Sequence, residues 1–250
     1  MNKKILLISN PGEPGAENYC EGVNVDVREY KSYFTSPIGG AWTADEIRHL
    51  DRPRVDDVRQ EISALANLDY SLVIFCGHGW YSATDSSTIL ELRAGQSMDE
   101  AELRYQGAKR TILLDCCRKV YRESLKEELL AKSLNFCEDH RLSGAECRKY
   151  YESAISNASA GLVILHACDV NETAGDDSKR GGYYSDGLRR SALDWDRATA
   201  IDLSQNYRIC SVVESHGNAS ELVGRRSGGR QNPQIEKPRS KPYFPFAVLA

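Results

Sequence analysis

Four short runs of mostly apolar, branched residues, at 4–10, 71–76, 110–115 and 161–168, constrain the fold of this 250-residue chain more than any other feature. Side chains alternate between the two faces of a strand, so a run that is apolar at nearly every position must be covered on both faces. That is the signature of strands inside a parallel sheet. Helix-length amphipathic segments at 25–34 and 53–68 separate the first two runs. The second segment begins with Pro53, which suits a first helical turn, and places Val55, Val58, Ile62, Leu65 and Leu68 on one face. Strands alternating with such helices predict an α/β three-layer sandwich.

The later chain is read in the same way. Ser97-Met-Asp-Glu100 has the pattern of a capping box opening a short helix before the third run, and residues 88–92 suit a minor edge strand or hairpin. Residues 121–136 and 145–156 have helical patterns joined by a polar loop at 137–144. A second loop at 175–182 precedes a helix through Leu188 and Trp195. A longer helix is expected at 201–222, then a Gly/Arg-rich turn and a proline-punctuated tail at 231–250. There is no internal repeat.

A chain that is 41% hydrophobic and 27% charged can bury one sizeable core, so a single domain spanning 1–250 is expected. The net charge of −4, with both signs interspersed, offers no basic face for a phosphate backbone, which argues against nucleic acid as partner. The apolar run after Met1-Asn-Lys-Lys is too short for an export signal. No stretch approaches the roughly 20 apolar residues of a membrane span. The expected setting is therefore the cytoplasm, away from the membrane, with the eight cysteines as thiols and most of them buried. The nearest approach to zinc-ligand spacing, Cys137, His140 and Cys147, lacks a partner pair, so no metal is expected.

Two of the predicted strands end in reactive residues. The second ends Phe75-Cys-Gly-His78-Gly79 and the third Leu114-Asp115-Cys116-Cys117-Arg118. In open parallel sheets, groups beyond the carboxyl ends of neighbouring strands meet on one rim. An imidazole and a thiol brought together there satisfy the first requirement of nucleophilic catalysis, a base able to hold or generate a thiolate. Gly77 and Gly79 let the chain turn sharply and let a substrate approach the backbone. The amides of Gly79 and Cys117 can donate to a developing oxyanion.

These motifs resemble those of the caspase and metacaspase clan of cysteine peptidases. The resemblance runs from Lys3 to about Val248. It rests on Val73-Ile-Phe-Cys-Gly-His78-Gly79, Ile112-Leu-Leu-Asp-Cys-Cys117-Arg118, Ile164-Leu-His-Ala-Cys168-Asp169 with Glu172-Thr-Ala174, Gly181-Gly-Tyr-Tyr with Leu188, and Gln231-Asn-Pro233 with Phe244-Pro-Phe246. It implies a mostly parallel sheet of about six strands flanked by helices, with a large-subunit-like part at about 1–140 and a small-subunit-like part at about 155–250. It also implies that His78 and Cys117 are the dyad and that Cys116 is a backing residue. Downstream of the nucleophile, Arg118-Lys119-Val120 departs from both the caspase and the metacaspase patterns.

Caspases bind aspartate with arginines, one of them in the loop after the first strand. Here the stretch between Pro11 and Val27 has no arginine and carries Glu13, Glu17, Glu21 and Asp26. Asp115 and Asp169 match the two acidic pocket positions of metacaspases. Carboxylates there favour a guanidinium or ammonium, so cleavage after Arg or Lys through a thioester acyl-enzyme is expected. The expected substrate is a protein or peptide, in a regulatory, stress or defence role under a separate regulatory protein. Processing sites are expected at 118–157, for example after Arg141, or at Lys179-Arg180. Calcium dependence occurs in some metacaspases, but no complete set of oxygen ligands is visible. The alternatives are a catalytically inactive caspase-like scaffold or signalling partner, and a thiol phosphatase loop at Cys116-x5-Arg122. The latter lacks the glycine and hydroxyl of a phosphate cradle.

Overall fold

Each of the four apolar runs is a strand. The computed structural model describes residues 1–105, 107–120, 143–198 and 207–249. Strand β1 (Lys3–Asn10) leads into helix α1 (Glu21–Thr35), strand β2 (Ile47–Asp51), helix α2 (Val55–Leu65) and strand β3 (Tyr70–Gly77). Then come β4 (Gly79–Ser82), β5 (Ser87–Arg93), β6 (Gln96–Asp99), a 3-10 turn at Glu100–Leu103, and β7 (Lys109–Asp115). The remaining elements are α3 (Gly144–Asn157), β8 (Gly161–His166), α4 (Tyr183–Ala198), β9 (Arg208–Ser211), α5 (Val212–Ser227), β10 (Gln234–Glu236) and β11 (Pro245–Leu249).

The main sheet has six strands in the order β10-β8-β7-β3-β1-β2, with every pair parallel except β10 on β8. Both faces are buried, as the continuous apolar runs require. In β1, Ile5 and Leu7 join one core while Leu6 and Ile8 join the other, and the same alternation divides Leu72 and Ile74 from Val73 and Phe75 in β3. The first core is closed by α1, α3, α4 and α5, through residues such as Tyr30, Tyr151, Leu188 and Val223. The second is closed by Val58, Ile62 and Leu65 of α2 and by Leu90, Leu92 and Met98 of β5 and β6. This is the expected three-layer arrangement, with a mostly parallel six-stranded sheet between helical layers.

Several boundaries differ from expectation for identifiable reasons. Helix α2 starts two residues after Pro53, because the Asp57 carboxylate accepts from the Arg54 amide and caps the helix there. Ser97 lies within β6, so the residue that caps the following turn is Asp99, whose side chain accepts from the Ala101 amide. Residues 88–92 fall in β5, the middle strand of an antiparallel three-stranded sheet with β4 and β6. The long helix expected at 201–222 is, in its described part, strand β9 followed by α5. Ser211 caps α5 by accepting from the Glu214 amide. Residues 201–206 of that stretch, residues 121–136, and Cys137, His140 and Arg141 lie outside the described residues. Among the described cysteines all seven are free thiols.

The two remaining strands of the main sheet escaped sequence reading altogether. β2 is an edge strand with exposed Arg48 and Asp51, and β10 is three residues long. β2 offers only one apolar residue to each face, Ile47 and Leu50, and β10 only Ile235, too few for periodicity to register. The tail motif Phe244-Pro-Phe246 enters β11, which pairs with β9 in a separate two-stranded sheet. Its neighbour β10 supplies the sixth strand of the main sheet. No helix among the described residues is long and apolar enough to cross a membrane.

Candidate active site

Strands β3 and β7 are hydrogen-bonded neighbours, with Cys76 opposite Asp115 as the last pair in register. His78 and Cys117 each follow two residues later, so the two chains carry them off the same rim of the sheet side by side. Gly77 makes the first turn possible: a Cβ there would come 2.6 Å from the Asn10 carbonyl. Gly12, with φ +86°, brings the loop after β1 onto the imidazole, its Cβ direction ending 3.2 Å from His78 Nε2. That loop is closed by the Cys20 amide donating to the Pro11 carbonyl at 2.8 Å.

The two adjacent cysteines have opposite surroundings, as alternation along an extended chain demands. Cys116 is 2% exposed and belongs to the α2 side of the core. Its Sγ packs so closely on β4 that a Cβ at Gly79 would come within 2.9 Å of it. Burial pushes its thiol well above the ordinary range. Cys117 is half-buried on the opposite side, the side of Asp115, and donates to the Ala174 carbonyl at 3.8 Å. Burial raises its thiol too, with the nearby Asp115 carboxylate adding to the effect.

The segment after Cys117, where the sequence departs from familiar patterns, is held on both sides. The Tyr81 amide of β4 donates to the Lys119 carbonyl at 3.0 Å, and Tyr81 bridges Val120. On the other side the Arg118 amide donates to Glu172 O at 3.0 Å and the Asn171 amide to Arg118 O at 2.8 Å. The Arg118 guanidinium donates to Thr88 Oγ1 and to the Cys168 carbonyl. Strand-like pairing thus does the work that a glycine or a hydroxyl would do in a tighter loop.

Around Asp115 the structure gathers two carboxyls from elsewhere in the chain. Asp115 accepts from the Ser185 amide and hydroxyl at 3.0 and 2.5 Å. Asp26 accepts from the Gly182 amide at 2.7 Å and from Arg189 at 3.1 Å, an ion pair that is buried on both sides. Asp176 accepts from the Gly22 amide at 3.3 Å. Burial raises the Asp115 carboxyl, against the Ser185 hydrogen bonds. Asp176 is pushed up to about 6 by burial and by repulsion from Asp115. Asp26 is raised well above its usual range by burial, with Arg189 opposing.

Asp26 therefore sits in α1 and is buried, where the sequence reading counted it among the acids of a loop. Asp169, the other carboxylate expected in the pocket, accepts from the Val170 amide at 2.6 Å. The Gly181-Gly182 pair explains how the chain lies across two buried carboxylates. A Cβ at Gly181, where φ is +86°, would fall 2.0 Å from Asp26 Oδ1, and one at Gly182 would fall 2.4 Å from Asp115 Oδ2.

The sequence profile of the caspase domain family matches residues 2–244. The chain belongs to the caspase domain family. It is a cysteine-type endopeptidase, a hydrolase whose substrates are proteins or peptides. Its fold is similar to the crystal structure of caspase-1 from Spodoptera frugiperda, at a TM-score of 0.57 and 11% identity, over 94% of this chain and 86% of that one. No curated protein sequence matches the chain.

For this caspase-domain chain the glycine pair yields a direct test. Gly182→Ala should lower stability by about 1–3 kcal/mol, because the added methyl has no room beside Asp115. Urea unfolding measures that loss, and peptide hydrolysis should fall with it as Asp115 is displaced.

Proposed function

We propose that this peptidase cleaves after arginine or lysine, with His78 and Cys117 as its dyad and a metacaspase-like acidic pocket. The observation that carries the reading is the gathering of Asp26 and Asp176 around Asp115, two residues before Cys117, with one buried guanidinium among them. Arg189 is the arginine that could have bound an acidic side chain, but it is committed to Asp26 and to the Arg180 carbonyl at 3.1 Å. Asp115 and Asp176 then leave an uncompensated negative charge, suited to a guanidinium or ammonium. Asp169, set at its turn by the Val170 amide, is assigned to the outer part of the same pocket.

The chemistry follows from the dyad. Burial keeps the Cys117 thiol protonated at rest, so His78 must take its proton as the sulfur attacks the substrate carbonyl carbon. The amides of Gly79 and Cys117 are the proposed donors to the oxyanion. Collapse expels the amine, which leaves with the proton from His78, and a thioester remains. Water, deprotonated by His78, then hydrolyses the thioester and regenerates the thiol. A regulatory or defence role in the cytoplasm, under a separate regulatory protein, belongs to the same proposal. The test is a peptide panel varying only the cleaved residue among Arg, Lys and Asp. Preference for Arg or Lys is expected, and preference for Asp would overturn the pocket.

A further inference from the structure

On the sheet face opposite Asp115, three residues far apart in sequence meet. Glu100 opens the 3-10 turn after β6, His166 is the last residue of β8, and Glu236 is the last of β10. His166 pairs in register with Leu114 of β7, and so points to the α2 side of the sheet. One donor atom from each of the three lies within 4.8 Å of the others.

The imidazole is the informative member. His166 is 2% exposed, and neither its ring nitrogens nor Glu100 Oε2 has a hydrogen-bond partner within 3.5 Å. Nδ1 faces Glu100 Oε2 at 3.6 Å, and Nε2 faces Glu236 Oε1 at 3.6 Å. Leaving such groups buried and unsatisfied is costly. Arg104 donates to Glu100 Oε1 at 3.3 Å and to both oxygens of Glu236 at 2.8 and 2.9 Å, which orients the two carboxylates and leaves Glu100 Oε2 turned to the ring.

We propose that Glu100, His166 and Glu236 form a binding site for a divalent transition metal, with zinc the best match. Zinc bonds of about 2.0–2.1 Å in a tetrahedron place neighbouring donors roughly 3.3 Å apart. The 3.6 Å between His166 Nδ1 and Glu100 Oε2 needs only a small contraction. Glu236 is exposed, so its carboxylate has room to turn inward and supply the third ligand. One imidazole with two carboxylates suits zinc better than calcium, which takes six to eight oxygens. The two carboxylates exceed the single Arg104 charge, and a dication would cancel that excess while occupying a ring nitrogen and Glu100 Oε2. Bound there, it would tie the turn after β6 to β8 and β10.

Cobalt and zinc titrations of the full chain test the site. Cobalt should bind one equivalent with a nitrogen and oxygen ligand spectrum and no thiolate charge-transfer band, and zinc should displace it and raise Tm. Glu236→Gln, an exposed and isosteric change, should weaken binding roughly tenfold or more, and His166→Gln should abolish it. Unchanged affinity in Glu236→Gln, a thiolate band, or no Tm response to zinc would each overturn the proposal. If His166→Gln fails to fold, Glu236→Gln decides alone.

Discussion

Cys117→Ala is expected to reduce peptide hydrolysis by roughly 10⁴-fold or more, because loss of a covalent nucleophile leaves only binding and oxyanion stabilisation. His78→Ala should cost a similar factor, and the double variant little beyond either single one, since the two act as a unit. Cys116→Ala should behave in the opposite way. Its thiol faces the α2 side of the core and its Sγ packs on Gly79, so removal should cost about 1–2 kcal/mol of stability and leave kcat/KM within a few-fold. Active-site labelling with an arginyl electrophile separates the two cysteines. Labelling that persists in Cys117→Ala would end the assignment of the nucleophile. Absence of peptide hydrolysis from the folded wild-type chain, as from Cys117→Ala, would support an inactive scaffold.

Asp176→Asn is expected to have two effects of opposite sign. On arginyl substrates kcat/KM should fall roughly 10- to 100-fold, carried mostly by KM, as a charge-assisted hydrogen bond is lost from the pocket. The acid limb that Asp176 contributes near pH 6 should vanish with it. Stability should move the other way. The folded-state value of about 6 lies above the ordinary carboxyl value, so between the two the folded protein holds a proton that the unfolded chain has released. Stability therefore falls as pH rises through this window and stays lower above it. Asp176→Asn should raise Tm at pH 7.5 and leave it nearly unchanged well below pH 3.8, where the carboxyl is neutral in both states. The Gly22 amide still finds an acceptor, because the asparagine oxygen can replace the carboxylate oxygen. A drop in Tm at pH 7.5 would mean that Asp176 serves the loop and not a ligand. A carboxyl retained where it weakens the fold is the pattern of a group kept for binding.

The placement of His78 and Cys117, the proposed dyad, was legible early for a simple reason. β3 and β7 are apolar on both faces, which marks them as interior strands, and His78 and Cys117 each stand two residues past their last paired position, Cys76 opposite Asp115. The proposed pocket was only half legible. Asp115 lies in that same strand, but Asp176 comes from a loop about sixty residues away, and local sequence does not bring the two together. Asp26 carried a weak signal. It falls on the stripe of α1 formed by Val23, Val27 and Tyr30, where a lone acid implies a buried partner, and that partner is Arg189. The Glu100, His166 and Glu236 cluster left no mark, since its members sit on a turn and two strand ends with no shared spacing.

The sequence by itself determined the layered α/β architecture and placed His78 and Cys117, the proposed dyad, just past two interior strands. Apolar periodicity and strand-end position are local properties of the chain, and they survive without coordinates. Tertiary structure alone decided which face each cysteine takes and that Arg189 is bound to Asp26. It also decided which carboxyls crowd Asp115 and that His166 is buried between two acids. Those outcomes depend on which distant segments share a sheet face, and they are set by the packing of α1 and α4 on the sheet and by the pairing of β10 with β8.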